Sequence, residues 1–120
     1  MNSHHAVIHL SHEAARFVEF DELATHAEKL EQHAHPTRQH ASGVRSEHEF
    51  FASVCDRLGS LSKVLVTGGR TPLADFQHYV AKHRPLVSSH IVGYEVVAQL
   101  TDNQLVALAR KRFDALERLA

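Results

Sequence analysis

The chain has 120 residues, of which 43% are hydrophobic and 22% charged, which suits one globular domain and leaves too little chain for two. Its formal net charge of −1 argues against a strongly basic nucleic-acid-binding protein. The single cysteine, Cys55, excludes an intramolecular disulfide and a cysteine-based zinc site. We therefore expect one α/β domain over residues 1–120, located in the cytoplasm, without an export signal, a membrane span or a cofactor.

The first third of the chain predicts three strands followed by a loop. Residues 6–10 are rich in β-branched and aliphatic side chains, residues 11–13 are typical of a turn, and residues 14–20 continue as a second strand. These two strands form a hairpin. A third strand is expected within residues 24–33, although this segment also contains good helix formers. A polar, histidine-rich loop follows it.

A helix is predicted from Ser46 onward. Ser46 and Glu49 have the spacing of a capping box, in which each side chain accepts a hydrogen bond from the other residue's backbone N–H. Gly59 is expected to end the helix. The apolar positions that follow the cap at helical spacing are Phe50, Phe51, Val54, Leu58 and Leu61.

The second half of the chain alternates strands and helices. Residues 63–67 are an almost continuous apolar run, typical of a strand buried on both faces. After a break at residues 68–70, Thr71 is expected to cap a helix that begins at Pro72 and ends before Pro85. The expected buried stripe of that helix is Leu73, Phe76, Tyr79 and Val80.

A fifth strand and a last helix complete the pattern. The strand is predicted over residues 91–97, and the helix is capped by a second capping box, formed by Thr101 and Gln104. Strands joined by a helix pair in parallel, with a right-handed crossover. The predicted fold is therefore a mixed five-stranded sheet with flanking helices, in the order βββαβαβα.

Residues 64–80 resemble a segment of the central domain of the archaeal and eukaryotic peptide-release factors and Pelota. In that family a hydrophobic strand ends in Gly-Pro-Gly and leads into a helix, and this chain has Gly68-Gly69-Arg70 at that place. Residues 39–45 fall where the release factors carry their hydrolytic Gly-Gly-Gln tripeptide. Here they are Gln-His-Ala-Ser-Gly-Val-Arg, so the tripeptide is missing.

The order of several short segments is similar to that of small bacterial stand-alone release-factor-like proteins, also called translational machinery components. The segments are residues 11–16, 26–40, 49–51 and 101–107. The resemblance implies a ribonuclease H-like sheet and a role in translation without peptidyl-tRNA hydrolysis. Fold transfers more safely than function in such a comparison.

Two segments are candidate contacts for RNA. The turn at residues 68–71 follows a buried strand and begins a helix, where free N–H groups and the helix dipole favour an anion, although it can also be a plain strand-to-helix turn. The loop at residues 36–45 carries imidazole and guanidinium groups that can contact phosphate. The candidate nucleic-acid-binding residues are His35, Arg38, His40, Arg45, Gly68, Gly69, Arg70 and Thr71.

The twelve histidines raise a metal-binding hypothesis. His5 and His9 share a face if they lie on a strand, and His33, His35 and His40 lie near the loop. No cysteine or nearby aspartate completes a familiar zinc pattern, so we predict no metal site. A histidine-dependent metal-binding protein is the third functional hypothesis.

An enzyme is not expected. His12 with Glu13 and His48 with Glu49 offer acid–base pairs in principle, but no motif places a nucleophile, and Cys55 lies beside a core position. The preferred function is a non-catalytic domain that binds the ribosome or structured RNA. The alternative is a protein-interaction or homodimeric module that uses an exposed sheet edge.

Overall fold

The structure is a computed structural model that describes residues 5–21, 25–31 and 42–119. These residues form five strands, three α-helices and a 3₁₀ helix over Pro85–His90. The strands are β1 (His5–Leu10), β2 (Ala14–Phe20), β3 (Thr25–Glu31), β4 (Lys63–Gly68) and β5 (Ile91–Val96). The helices are α1 (Ser42–Leu58), α2 (Arg70–His83) and α3 (Asp102–Leu119). None of these helices is both long and apolar enough to cross a membrane.

The strands make one mixed sheet in the order β3-β2-β1-β4-β5. β1, β2 and β3 pair antiparallel along the chain, whereas β1 pairs with β4 and β4 with β5 in parallel. The predicted hairpin, the third strand within residues 24–33 and the parallel pairing of the last two strands are confirmed. So is the fold class, a single α/β domain with a mixed five-stranded sheet and flanking helices.

Alternating side chains of β1 are buried on opposite faces of the sheet. Ala6, Ile8 and Leu10 belong to the core beneath α1 and α2, and Val7 belongs to the core beneath α3. β4 is also covered on both faces, as its apolar run predicts. The sheet therefore lies between two helical layers, and its central strands have little contact with solvent.

Helix α1 begins earlier than the sequence predicts. It starts at Ser42, so Ser46 lies inside the helix and cannot be the cap of a capping box. Adding a residue to an existing helix gains a backbone hydrogen bond, and serine in a helix interior costs only about 0.5 kcal/mol relative to alanine. The predicted end is confirmed, because the Gly59 N–H donates to the Cys55 carbonyl just after the last helical residue.

Helix α2 also begins earlier than predicted. Its N-cap is Gly69 rather than Thr71, and the cap has no side-chain hydrogen bond. Pro72 is therefore the third residue of the helix, a position where its missing N–H still lacks a helical acceptor and costs nothing. The predicted buried stripe is confirmed: Leu73, Phe76, Tyr79 and Val80.

Helix α3 has the capping box that the sequence predicts. The Thr101 N–H donates to Gln104 Oε1 at 2.9 Å, and the Gln104 N–H donates to Thr101 Oγ1 at 3.2 Å. Two N–H groups that the first turn leaves without helical acceptors are thereby satisfied.

Arg57 of α1 attaches the outer strands to the helical layer. Its Nε donates to Glu28 of β3 at 2.7 Å, its Nη2 donates to Glu19 of β2, and its guanidinium lies 5.5 Å from the centre of the Phe17 ring. Because nearly all the side chains of β3 are exposed, this contact supplements a strand that has little apolar burial of its own.

The two serine/threonine capping patterns give opposite predictions for alanine substitution. Thr101→Ala removes a cap and is expected to lower the free energy of unfolding by about 1 kcal/mol. Ser46→Ala changes a helix-interior position and is expected to leave it unchanged or raise it by about 0.5 kcal/mol. Denaturant unfolding followed by circular dichroism measures both values. An equal loss for the two variants would contradict the helix start at Ser42.

Candidate nucleic-acid interface

The turn after β4 depends on a close backbone contact at Gly68. Gly68 has a φ of +157°, and a Cβ built on it would lie 2.5 Å from the Leu10 carbonyl oxygen. Only glycine allows β1 and β4 to approach this closely at the end of the pair. On its other side the Gly68 carbonyl accepts the Val97 N–H at 3.0 Å, so this residue joins three strands.

The residue before it ties the same strands together through its side chain. Thr67 is fully buried, and its hydroxyl donates to the Ile8 carbonyl at 2.7 Å. The hydroxyl has only one hydrogen, so His9 Nδ1, 3.1 Å from the same oxygen, must be the donor in that contact. The hydrogen bonds thereby assign the neutral His9 ring to the Nδ1–H tautomer.

The surroundings of His9 keep its ring uncharged. The side chain is nine-tenths buried and pairs in register with Arg16 on β2. Burial is the larger cause that lowers the pKa of His9, and the positive charge of Arg16 acts in the same direction. A neutral ring suits the buried hydrogen bond to Thr67, because it needs no counter-ion.

Arg16 in turn connects β2 to the start of α3. Its Nη2 donates to the Leu100 carbonyl, and its Nε lies 3.0 Å from Asp102 Oδ1. Both atoms of this ion pair are buried. These contacts hold Leu100 and Asp102, at the start of α3, against β2. They lie at the edge of the sheet where β1, β4 and β5 end.

The first turn of α2 presents backbone N–H groups at that edge. The Leu73 N–H donates to the Gly69 carbonyl at 3.1 Å, which leaves the N–H groups of Gly69, Arg70 and Thr71 without helical acceptors. The Arg70 side chain is exposed, and among the described residues no carboxylate forms an ion pair with it. Backbone donors, the positive end of the helix dipole and this guanidinium all favour an anion.

The strands that precede the two predicted contact segments end at the same edge of the sheet. β3 runs parallel to β1 and β4, so its last residue, Glu31, lies at the end of the sheet that Leu10 and Gly68 also occupy. The described chain therefore leaves β3 and β4 at the same edge of the sheet. β1 and β2 separate them.

The sequence-predicted residues divide into two groups. Gly68, Gly69, Arg70 and Thr71 lie together where β4 passes into α2: Gly68 is buried at the end of the strand, Gly69 is half-buried at the cap, and Arg70 and Thr71 are exposed in the first turn of the helix. Arg45 was predicted to lie in a loop but belongs to helix α1, because that helix begins at Ser42. His35, Arg38 and His40 lie outside the described residues.

The histidines and the cysteine of the described residues do not form a recognisable reactive or metal centre. In residues 5–21, 25–31 and 42–119 no three histidine, cysteine or acidic side chains are placed to hold a metal ion. His33, His35 and His40 lie outside these ranges. Cys55 is buried, and its burial raises the pKa of the thiol to about 11, so the thiolate nucleophile is scarce at neutral pH.

The fold is similar to those of three solved archaeal proteins. It matches the Archaeoglobus fulgidus Pelota protein over 92% of this chain, with a TM-score of 0.61 and 14% identity. It matches the Thermoplasma acidophilum Pelota protein over 87%, with a TM-score of 0.60 and 16% identity. An archaeal translation termination factor matches over 97%, with a TM-score of 0.54 and 14% identity. At these identities the likeness establishes a common fold, so the predicted release-factor-like fold is confirmed.

This chain corresponds to only part of each of those proteins. It covers 32% of the Archaeoglobus chain, 30% of the Thermoplasma chain and 39% of the termination factor. No family model matches the sequence, and no curated protein matches it.

The two glycines of the turn give a matched pair of serine variants. Gly68→Ser places a Cβ against the Leu10 carbonyl, and we expect it to lower the free energy of unfolding by about 2 kcal/mol. Gly69→Ser adds a side chain at an N-cap with extended backbone angles, where serine is favoured, and is expected to keep or raise stability. Denaturant titration of both variants measures the difference. Equal stabilities would contradict the close contact at Gly68.

The lowered pKa of His9 predicts an acid-dependent loss of stability. Below the ordinary histidine value of about 6.5 the unfolded chain binds a proton that the folded chain does not, so stability falls as the pH drops from there towards the lowered pKa. His9→Asn keeps an N–H donor without a titrating ring. We expect this variant to lose less stability between pH 7 and pH 5 in thermal unfolding.

His12→Asn is the control, because it removes an exposed histidine from the neighbouring β1–β2 turn and should keep the wild-type loss. Some loss is expected in every variant, since burial also lowers the pKa of His5. An unchanged loss in His9→Asn would show that His9 is not the titrating group.

Proposed function

We propose that this chain is a non-catalytic, translation-associated domain that binds the ribosome or structured RNA in the cytoplasm. The observation that carries the proposal is the likeness to Pelota and to a translation termination factor over most of the chain. The small bacterial release-factor-like proteins are the group to which we assign it. The contact regions that we propose are residues 36–45, of which 42–45 form the start of helix α1, and residues 68–71, where β4 passes into α2.

The geometry of the sheet edge supports this choice of surface. The turn offers three backbone N–H donors and the Arg70 guanidinium, which forms no ion pair within the described part of the chain, and both features suit a phosphate group. β3 ends at the same edge, and His35, Arg38 and His40 follow it in the sequence.

Sequence and chemistry support a binding role rather than a hydrolytic one. The Gly-Gly-Gln tripeptide that the release factors use is missing from the sequence. The one cysteine is buried, and its pKa is raised to about 11. His9 is the buried histidine that pairs in register with Thr67 of β4, next to the turn. Its ring donates a hydrogen bond to the Thr67 hydroxyl. The proposal therefore assigns no bond-breaking step to these groups.

The overall charge sets the expected strength of binding. The net charge is −1 with histidines neutral, so the chain lacks the general positive field of a strong RNA binder. Contacts to phosphate by a few cations give an affinity that falls steeply with salt. We therefore expect modest binding that is seen best at low ionic strength.

Co-sedimentation with purified ribosomes, followed over a series of salt concentrations, tests the proposal. The wild-type chain is expected to pellet with ribosomes at low salt and to be released as salt increases. Arg70→Gln is expected to bind more weakly and to reduce the slope of log affinity against log salt by about one. Arg38→Gln tests the loop in the same way.

Lys111→Gln provides the matched control, because it removes one exposed positive charge from helix α3, on the other face of the sheet. We expect it to bind like the wild-type chain. Absence of the wild-type chain from the pellet at low salt would refute the proposal. Equal weakening by Lys111→Gln would show that general charge, and not this edge, governs binding.

One observation favours the alternative of a protein-interaction or homodimeric module. β3 is an outermost strand of the sheet, and six of its seven side chains are exposed. A strand of this kind can pair with another strand through its free backbone groups. Light scattering that shows a monomer at high concentration would remove the homodimer.

The third hypothesis, a histidine-dependent metal-binding protein, centres on His33, His35 and His40. These residues lie outside the described part of the chain. Zinc titration followed by histidine NMR shifts tests it, and scattered weak shifts would reject a defined site.

A further inference from the structure

A cavity of about 360 Å³ lies at the opposite end of the sheet from the Gly68 turn. It opens between the start of β1, the end of β2 and the second half of α3. Its volume is at the lower end of the roughly 300–1,000 Å³ found for small-molecule sites. The side chains that matter here are His5, Phe20, Arg110, Phe113, Asp114 and Glu117.

Aromatic rings form the floor of this cavity. Phe20 and Phe113 are stacked, with ring centres 5.8 Å apart and planes inclined by 18°. The His5 ring meets Phe113 edge to face, at 5.1 Å and 70°. Burial, followed by the charge of Lys63, lowers the pKa of His5, so this ring is neutral near pH 7 although Glu117 opposes the shift. The floor is therefore apolar and uncharged.

The cavity already contains one guanidinium, supplied by the chain itself. Arg110 lies 5.4 Å from the centre of the Phe20 ring and donates through Nη2 to the Asp21 carbonyl at 2.5 Å. An aromatic face with an adjacent oxygen acceptor is the arrangement that stabilises an organic cation. The contact of Arg110 with Phe20 shows that this part of the cavity accommodates a guanidinium group.

The rim adds two carboxylates. Arg110, Phe113, Asp114 and Glu117 follow at i, i+3, i+4 and i+7, so they share one face of α3. Asp114 and Glu117 are exposed, and within residues 5–21, 25–31 and 42–119 neither forms an ion pair.

We propose that this cavity binds an organic cation, a guanidinium or primary ammonium group on a short apolar stem. The stem contacts Phe113 and His5, and the charge lies between Asp114 and Glu117. A carboxylate pair selects the cation over a neutral group of the same shape, and the aromatic floor selects an apolar stem over a hydrated metal ion. The site is independent of the proposed RNA contact, since the two lie at opposite ends of the sheet.

NMR titration of the ¹⁵N-labelled chain with butylguanidinium tests the proposal, and butylurea is the neutral analogue of nearly equal shape. Butylguanidinium is expected to shift the amide signals of Phe113, Asp114 and Glu117 in a saturable way. Butylurea is expected to produce much smaller shifts. Equal effects of the two compounds would overturn the proposal.

Two charge-matched variants separate this site from the general charge of the protein. Asp114→Asn with Glu117→Gln neutralises the rim and is expected to weaken butylguanidinium binding by roughly two- to thirtyfold. Glu49→Gln with Asp75→Asn makes the same change of net charge on α1 and α2 and is expected to keep the wild-type affinity. All four side chains are exposed, so both variants should fold. Similar affinities for the two variants would refute a defined site.

A blocked glycine–arginine–glycine peptide distinguishes the two sources of such a cation. Binding of the peptide at the strength of butylguanidinium indicates a basic side chain of a protein partner. Binding of butylguanidinium alone indicates a free small molecule. Each outcome supports the cation site, and failure of both compounds to shift the α3 signals overturns it whatever the ribosome experiment shows.

Discussion

The close contact between the Gly68 and Leu10 backbones is the constraint on which the rest of the structure depends. It closes the parallel pair of β1 and β4, which joins the N-terminal hairpin to the second half of the chain. Because no side chain fits there, the strand can end beside Leu10 and turn at once into α2. The buried Thr67 hydroxyl reinforces the same junction by linking Ile8 and His9. The position of the exposed turn is thus decided by packing between strands.

The sequence predicts correctly those elements whose structure depends mainly on residues close together in the chain. The apolar run of β4, the glycine after α1 and the Thr101–Gln104 capping box each predict what the structure contains. The same kind of box at Ser46 failed, because a cap motif only permits a helix to start and does not prevent an earlier start. The start of α2 was also misplaced, since the contact with Leu10 sets Gly69 as its cap and no local pattern reveals that contact.

In the candidate site, too, the local pattern was predicted from the sequence and the long-range contacts were not. The turn from Gly68 to Thr71 is a short pattern that can be recognised along the chain. The contact of His9 with Thr67 joins residues 58 positions apart, and that of Arg16 with Leu100 joins residues 84 positions apart. Such pairs depend on strand order and register, which a single sequence does not specify. The cavity at the other end of the sheet has the same origin, because it combines the two ends of the chain.

The attachment of β3 through Arg57 has a consequence for how the protein tolerates an open sheet edge. Glu28 keeps a charge on the face beneath α1, and Lys29 with Glu31, 3.4 Å apart, keeps charges on the opposite face. A second sheet cannot stack on either face of this strand without burying ions, which is costly. Charged side chains on an edge strand also disfavour indiscriminate edge-to-edge pairing with other chains.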